Sequence, residues 1–210
     1  MEQAVTLNKP KKLTTRKLAM IAMLGALSAV LMLFNFPIPF MPTFLKFDLA
    51  ELPALLGGFM MGPLSGTLII LVKLALKLLM QGSETLLAGE FANLIGSLTF
   101  VLPAIWIYER NRTKKGAAIG LVVSTILSSV VSIFGNAFIA VPLYASVYGM
   151  PLEAIIQMGT VTNPHVTDMI TLMLFGVFPF NIIKNGAVAV LTFILYKRTS
   201  TLLRKFTEKQ

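Results

Sequence analysis

The chain has 210 residues, of which 56% are hydrophobic and only 13% charged, and its mean hydropathy is +0.80. A soluble domain carries about 25% charged residues, so this chain cannot cover a soluble surface, and its hydrophobicity excludes disorder. With no cysteine, a disulfide framework and thiolate metal sites are excluded as well. At roughly 20 residues per span, six spans leave room for loops but for no separate soluble domain. The class is an all-α polytopic membrane protein, folded as one domain over 1–210.

Spans are predicted at 17–36, 52–70, 67–81, 86–108, 117–142 and 178–197, the second and third meeting softly at the Gly62-Pro63 turn. Residues 1–16 are polar and read as loose or as the start of a surface-lying helix. Thr14 and Thr15 are placed to cap the first span. That span carries small residues at helical spacing, Ala22 and Ala26 with Gly25 and Ala29 beside them. Prolines 37, 39 and 42 then break the helix, and the apolar loop 37–50 is expected to fold back onto the membrane. Asp48 and Glu51 suit the positive end of the second helix, and Pro53 suits its first turn. Residues 143–177 form the longest outer connection, with an interfacial helix expected near 165–176.

The net charge of +9 would suggest nucleic acid if it gathered in a patch beside aromatics. It does not. Lys9, Lys11, Lys12, Arg16 and Lys17 precede the first span, and Arg110, Arg112, Lys114 and Lys115 fill the 109–116 loop. Lys197, Arg198, Arg204, Lys205 and Lys209 follow the last span. The opposite side holds only Lys46, together with Asp48, Glu51, Glu84, Glu153 and Asp168. The positive-inside rule puts the basic side, and with it both termini, in the cytoplasm of a cell-membrane protein. The first span is too long for the apolar core of a signal peptide and lacks a convincing cleavage site.

Ionisable groups inside lipid are expensive and mark function by default. Glu90, Asn93 and Ser97 share one face of the fourth span, and Asn181, Lys184 and Asn185 share one face of the sixth. Asn136 lies near the outer end of the fifth. These groups are expected at one depth beneath the 37–50 loop, walling an outward pocket with a few directing groups among apolar ones. The alternative is that the Asn and Ser side chains only bind helix to helix. Lys73 and Lys77 share a face as well. For them, snorkelling or pairing with Asp48, Glu51 or Glu84 competes with ligand contact. His165, the single histidine, is expected at the surface or at a helix cap rather than in a proton relay. The stripe Ala22-x-x-x-Ala26 and glycines 58, 62 and 66 permit close helix approach, either within the chain or to a partner.

Motifs for enzymes and energy conversion are missing. There is no G-x-x-x-x-G-K-[ST] and no H-E-x-x-H, and no G-x-S-x-G. One histidine without cysteine does not suit a catalytic metal. Uphill transport would need the nucleotide chemistry of a partner.

The chain resembles the membrane substrate-binding subunits (S components) of energy-coupling factor (ECF) vitamin transporters, specifically the riboflavin-binding ones. The resemblance runs through 16–28 (RKLAMIAMLGALS), 44–59 (FLKFDLAELPALLGGF), 62–66 (GPLSG), 89–93 (GEFAN), 135–138 (GNAF) and 179–185 (PFNIIKN), and spans about 14–197. It implies the S-component fold of six helices with cytoplasmic ends, and high-affinity capture of riboflavin as cargo, with no cofactor. It further implies docking through Ala22 and Ala26 onto a transmembrane coupling subunit that carries two ATP-binding subunits, and toppling of the whole S component in the bilayer. For riboflavin, Leu45 and Phe47 of the loop are expected over the ring, with Thr43 and Asp48 beside them. The carboxamide of Asn136 or Asn181 suits the imide edge, since it donates and accepts at once. Glu90 and Lys184 are expected to serve the ribityl hydroxyls or to pair with each other, with Asn93, Ser97 and Asn185 completing the wall. An S component for another vitamin, a stand-alone secondary carrier and an intramembrane enzyme are the competing readings. The carrier would need an acid at the midplane and an inverted repeat, and neither is seen.

Overall fold

A computed structural model describes residues 14–83 and 87–207. Lys9, Lys11, Lys12, Glu84 and Lys209 therefore lie outside the described residues, as does most of the 1–16 segment. Of Lys197, Arg198, Arg204 and Lys205 only the helical backbone is described.

Helix α1 runs Thr15–Leu33 and is capped by the Thr14 hydroxyl, which accepts from the Lys17 N–H at 3.4 Å. The loop that follows contains a short antiparallel pair, β1 (Phe36–Pro37) and β2 (Lys46–Phe47), with Phe36 opposite Phe47. Their rings lie 5.4 Å apart. Helix α2 (Glu51–Met61) is only 11 residues long. It ends at Gly62, whose φ of +94° favours glycine, and Pro63 opens α3 (Pro63–Gln81). The predicted 52–70 span is corrected accordingly. At a rise of 1.5 Å per residue, α2 reaches only about 16 Å, roughly half the hydrocarbon thickness.

Helix α4 (Ala88–Arg110) returns to the basic loop, and α5 (Lys114–Gly135) starts from a Thr113 cap. Beyond Gly135 the helix does not stop. It passes through a π turn, Asn136–Ala140, into α6 (Val141–Tyr148). Helix α7 (Leu152–Thr160) is the separate short helix of the long connection. The interfacial helix expected near 165–176 is a correction: α8 (Met169–Leu172) leads through a second π turn, Met173–Val177, straight into α9 (Phe178–Thr207). Asp168 caps α8, and the Thr171 N–H and hydroxyl hold its carboxyl below the usual carboxylate range.

Among the described residues five helical stretches are long and apolar enough to cross a membrane: Thr15–Leu33, Pro63–Gln81, Gly89–Arg110, Lys114–Val147 and Met169–Tyr196. Their packing relies on small residues, as it must where lipid offers no hydrophobic drive. Gly25 sits against Val72, and Gly58 and Gly66 sit against Ile105 and each other. The first of two apolar clusters joins α1 to α5 and α9. At its end near Gly62, the Tyr108 and Tyr196 hydroxyls meet at 2.8 Å beside Phe59. The second cluster packs the 37–50 loop against α6, α7 and the π turn that opens α9. A cavity lies between the two clusters.

Candidate ligand-binding cavity

Three buried or half-buried ion pairs frame this cavity. Lys73 meets Glu51 at 2.9 Å, Lys77 meets Glu90 at 2.6 Å, and Lys184 meets Asp48 at 2.8 Å. The expected pairing of Glu90 with Lys184 is thus corrected. Helix α3 packs beside α4 and brings Lys77 to Glu90, which also accepts from the Ser83 hydroxyl at 2.9 Å. The loop returns along α9 and brings Asp48 to Lys184. Lys73 does not snorkel. It is fully buried and pairs with Glu51, one of the partners the sequence offered.

The cavity has a volume of about 230 Å³. It gathers Asn93 and Ser97 of α4, Asn136 of the first π turn, and Asn181, Lys184 and Asn185 of α9, with Leu45 from the loop. Thr43, Phe47, Asp48 and Glu90 stand outside its lining. Thr43 lines a neighbouring apolar cavity of about 240 Å³ with Phe44, Ile155 and Met158. Phe47 packs on Phe36, while Asp48 accepts from the Ala50 N–H at 2.9 Å and from Lys184. These two therefore shape the loop that carries Leu45.

The carboxamides are oriented by the helices that bear them. Asn136 Nδ2 donates to the Ser132 carbonyl at 2.8 Å, and Asn181 Nδ2 donates to the Val177 carbonyl at 2.9 Å. Asn136 opens the first π turn, and Asn181 bonds back to Val177, the last residue of the second, such distortions being frequent at functional sites. Among the described residues neither carboxamide oxygen accepts a hydrogen bond. Asn185 Nδ2 donates to the Ser128 hydroxyl at 2.9 Å and ties α9 to α5.

Sequence reasoning overlooked several lining residues, among them Glu51, Phe44, Phe180, Ser128 and Ser132. A signal existed for the serines: Ser124, Ser128, Ser132 and Asn136 recur every fourth residue, which draws one polar line along an apolar helix. Glu51 was hidden because an acid at a helix start already had a sufficient reason to be there.

The small-residue stripes resolve differently. In α1, Gly25 and Ala29 are buried, whereas Ala22 and Ala26 are exposed beside Met23 and Leu27. Gly58 and Gly66 are used up by internal packing, and Gly62 by its turn. His165 is exposed, with its backbone N–H on Asn163 Oδ1 at 3.0 Å.

Apolar helices packed around a polar-edged cavity fit a multi-pass membrane protein, and the family and relatives that match are transporter components, not enzymes. The chain belongs to the family of ECF transporter substrate-specific components, whose model matches residues 16–196. It is 32% identical to the riboflavin transporter RibU of Staphylococcus aureus, covering 90% of this chain and 93% of that protein. It is 28% identical to the riboflavin transporter FmnP of Bacillus subtilis over 86% of this chain and 90% of that one. In three dimensions it resembles the solved S component of a bacterial ECF transporter, with a TM-score of 0.70 and 32% identity over 90% of this chain and 97% of that one.

Proposed function

We propose that this chain is the riboflavin-binding S component of an ECF-type importer, which captures the vitamin from outside and leaves energy supply to a coupling subunit and two ATP-binding subunits. The observation that carries this reading is the chemistry assembled in one cavity. Phe44, Leu45 and Phe180 line it beside Asn136, Asn181 and Lys184, and a flavin likewise joins an apolar ring face to a polar imide edge. The two relatives described as riboflavin transporters support the same cargo.

In this reading the chain crosses the membrane six times, α2 being the short crossing, and both termini are cytoplasmic. The basic residues before α1, between α4 and α5 and in the tail support that orientation. The cavity then opens outward under the 37–50 loop. Ala22 and Ala26 are the docking surface for the coupling subunit: both are exposed on α1, and neither has the bulk to keep a partner helix away.

The test is a titration of purified protein into riboflavin, followed by quenching of flavin fluorescence. Saturable one-to-one quenching is expected. Absence of quenching together with binding of a different vitamin would reassign the cargo. Riboflavin uptake into cells lacking any ECF module would replace the reading with a stand-alone carrier.

A further inference from the structure

Lys73 lies in α3, is fully buried and does not line the cavity. Every side chain to which it donates a hydrogen bond among the described residues does. Its three N–H donors face four oxygens, one donor being shared: Glu51 Oε1 at 2.9 Å and Oε2 at 3.1 Å, Asn93 Oδ1 at 3.2 Å and Ser97 Oγ at 2.8 Å. One buried cation on α3 thus addresses three wall residues on α2 and α4.

An ammonium has donors only, so each partner must turn an oxygen toward it. For Asn93 this settles which end of the carboxamide faces the ligand. Its oxygen accepts from Lys73 and lies 3.2 Å from the Ser97 hydroxyl. Its NH2 is left over. The described residues give Asn93 Nδ2 no hydrogen bond, and among them no buried side-chain nitrogen or oxygen lacks a partner. That NH2 therefore opens onto the cavity. Glu51 is oriented by the same cation. Oε1 accepts from both Lys73 and Ser97, at 2.9 Å each, whereas among the described residues Oε2 accepts from Lys73 alone. Lone pairs on Oε2 remain for a ligand donor, and the adjacent ammonium offsets the charge that burial would otherwise penalise.

We propose that Lys73 is a positioning residue that holds Glu51 as an acceptor and Asn93 as a donor toward the hydroxyls of the ligand's sugar-alcohol chain. The inference rests on the flavin reading above and deepens it. A hydroxyl both donates and accepts, so a wall that offers a carboxylate oxygen beside an amide NH2 matches successive hydroxyls of a polyol. Carboxamide oxygens of Asn136 and Asn181 lie on the α5 and α9 side and are left for the ring's imide edge.

The experiment compares riboflavin with lumiflavin, which has the same ring but a methyl group in place of the ribityl chain. Wild-type protein is expected to prefer riboflavin. Failure of the wild type to bind either flavin would sink the flavin reading itself, separately from the role of Lys73. Lys73→Met alone strands a buried carboxylate and is expected to fold poorly, so the informative variants are the charge-free double Lys73→Met/Glu51→Gln and the near-isosteric Glu51→Gln. Both should lose riboflavin affinity by roughly tenfold or more, with a much smaller loss for lumiflavin, so that the preference between the two collapses. An unchanged preference, or an equal loss for both ligands, would overturn the proposal. So would failure of both variants to fold, since the pair would then be a structural strut.

Discussion

The Lys184 ammonium lies 2.8 Å from the Asp48 carboxylate across 136 positions of chain, and through this pair α9 holds the loop beside the cavity. Asp48 also accepts from the Ala50 N–H at 2.9 Å, so one side chain both shapes the loop and fastens it. Asp48→Asn keeps the shaping contact and removes the charge. Riboflavin is expected to leave this variant about tenfold faster, with little change in association, as interface changes usually act on dissociation. Stopped-flow fluorescence measures both rates. An unchanged dissociation rate would show that the pair does not restrain the loop.

Alanine at Asn93, Asn136, Asn181 or Lys184 should weaken riboflavin binding by about 1–3 kcal/mol each, because a buried ligand group then loses its partner. Glu90→Ala should behave differently. Its carboxylate is turned to Lys77 and Ser83 and stands outside the cavity lining. Thermal unfolding in detergent is expected to fall for this variant while its riboflavin affinity stays within about threefold of wild type. Loss of affinity equal to that of Asn93→Ala would put Glu90 on the ligand.

Ala22→Trp and Ala26→Trp should leave riboflavin binding nearly unchanged, because both positions are exposed on α1 and neither lines the cavity. Uptake in cells and co-purification with the coupling module should both fall sharply. Binding and uptake measured on the same variant separate the outcomes. Parallel loss of both would mean that the stripe packs within this chain, and normal uptake would place the docking surface elsewhere.

Gly25→Leu and Gly58→Leu should destabilise the protein by about 1–3 kcal/mol or prevent folding, through overpacking. A side chain at Gly25 would meet Val72, and one at Gly58 would meet Ile105. Ala22→Leu, only three residues from Gly25 but exposed, should cost no more than about 0.5 kcal/mol. Melting temperatures of the three variants in one detergent make the comparison. Equal shifts would contradict the division of the α1 stripe into an inner and an outer face.

Much of this architecture was legible because its determinants are local. Apolar length marks the spans, and basic clusters mark one side. Glu90, Asn93 and Ser97 show by their spacing alone that they share a helix face, as do Asn181, Lys184 and Asn185. What stayed hidden depends on which helices become neighbours. Lys77 rather than Lys184 reaches Glu90 because α3 lies beside α4, and no feature of either sequence segment encodes that adjacency. The π turns at 136–140 and 173–177 escaped for another reason. They add one residue to a helical ladder beside residues that read as helix ends, Gly135 and Pro142 at the first and Gly176 and Pro179 at the second, so the fifth and sixth spans looked as if they began or ended at the cavity when they run on past it.

The three ion pairs have an electrical consequence. Cation and anion lie 2.9, 2.6 and 2.8 Å apart, so each pair that moves as a unit transfers no net charge through the bilayer. A membrane potential does work of about 2.3 kcal/mol per elementary charge per 100 mV, and on such pairs, or on an uncharged vitamin beside them, that work cancels. A displacement that such a pair makes as a unit is therefore neither driven nor resisted by voltage.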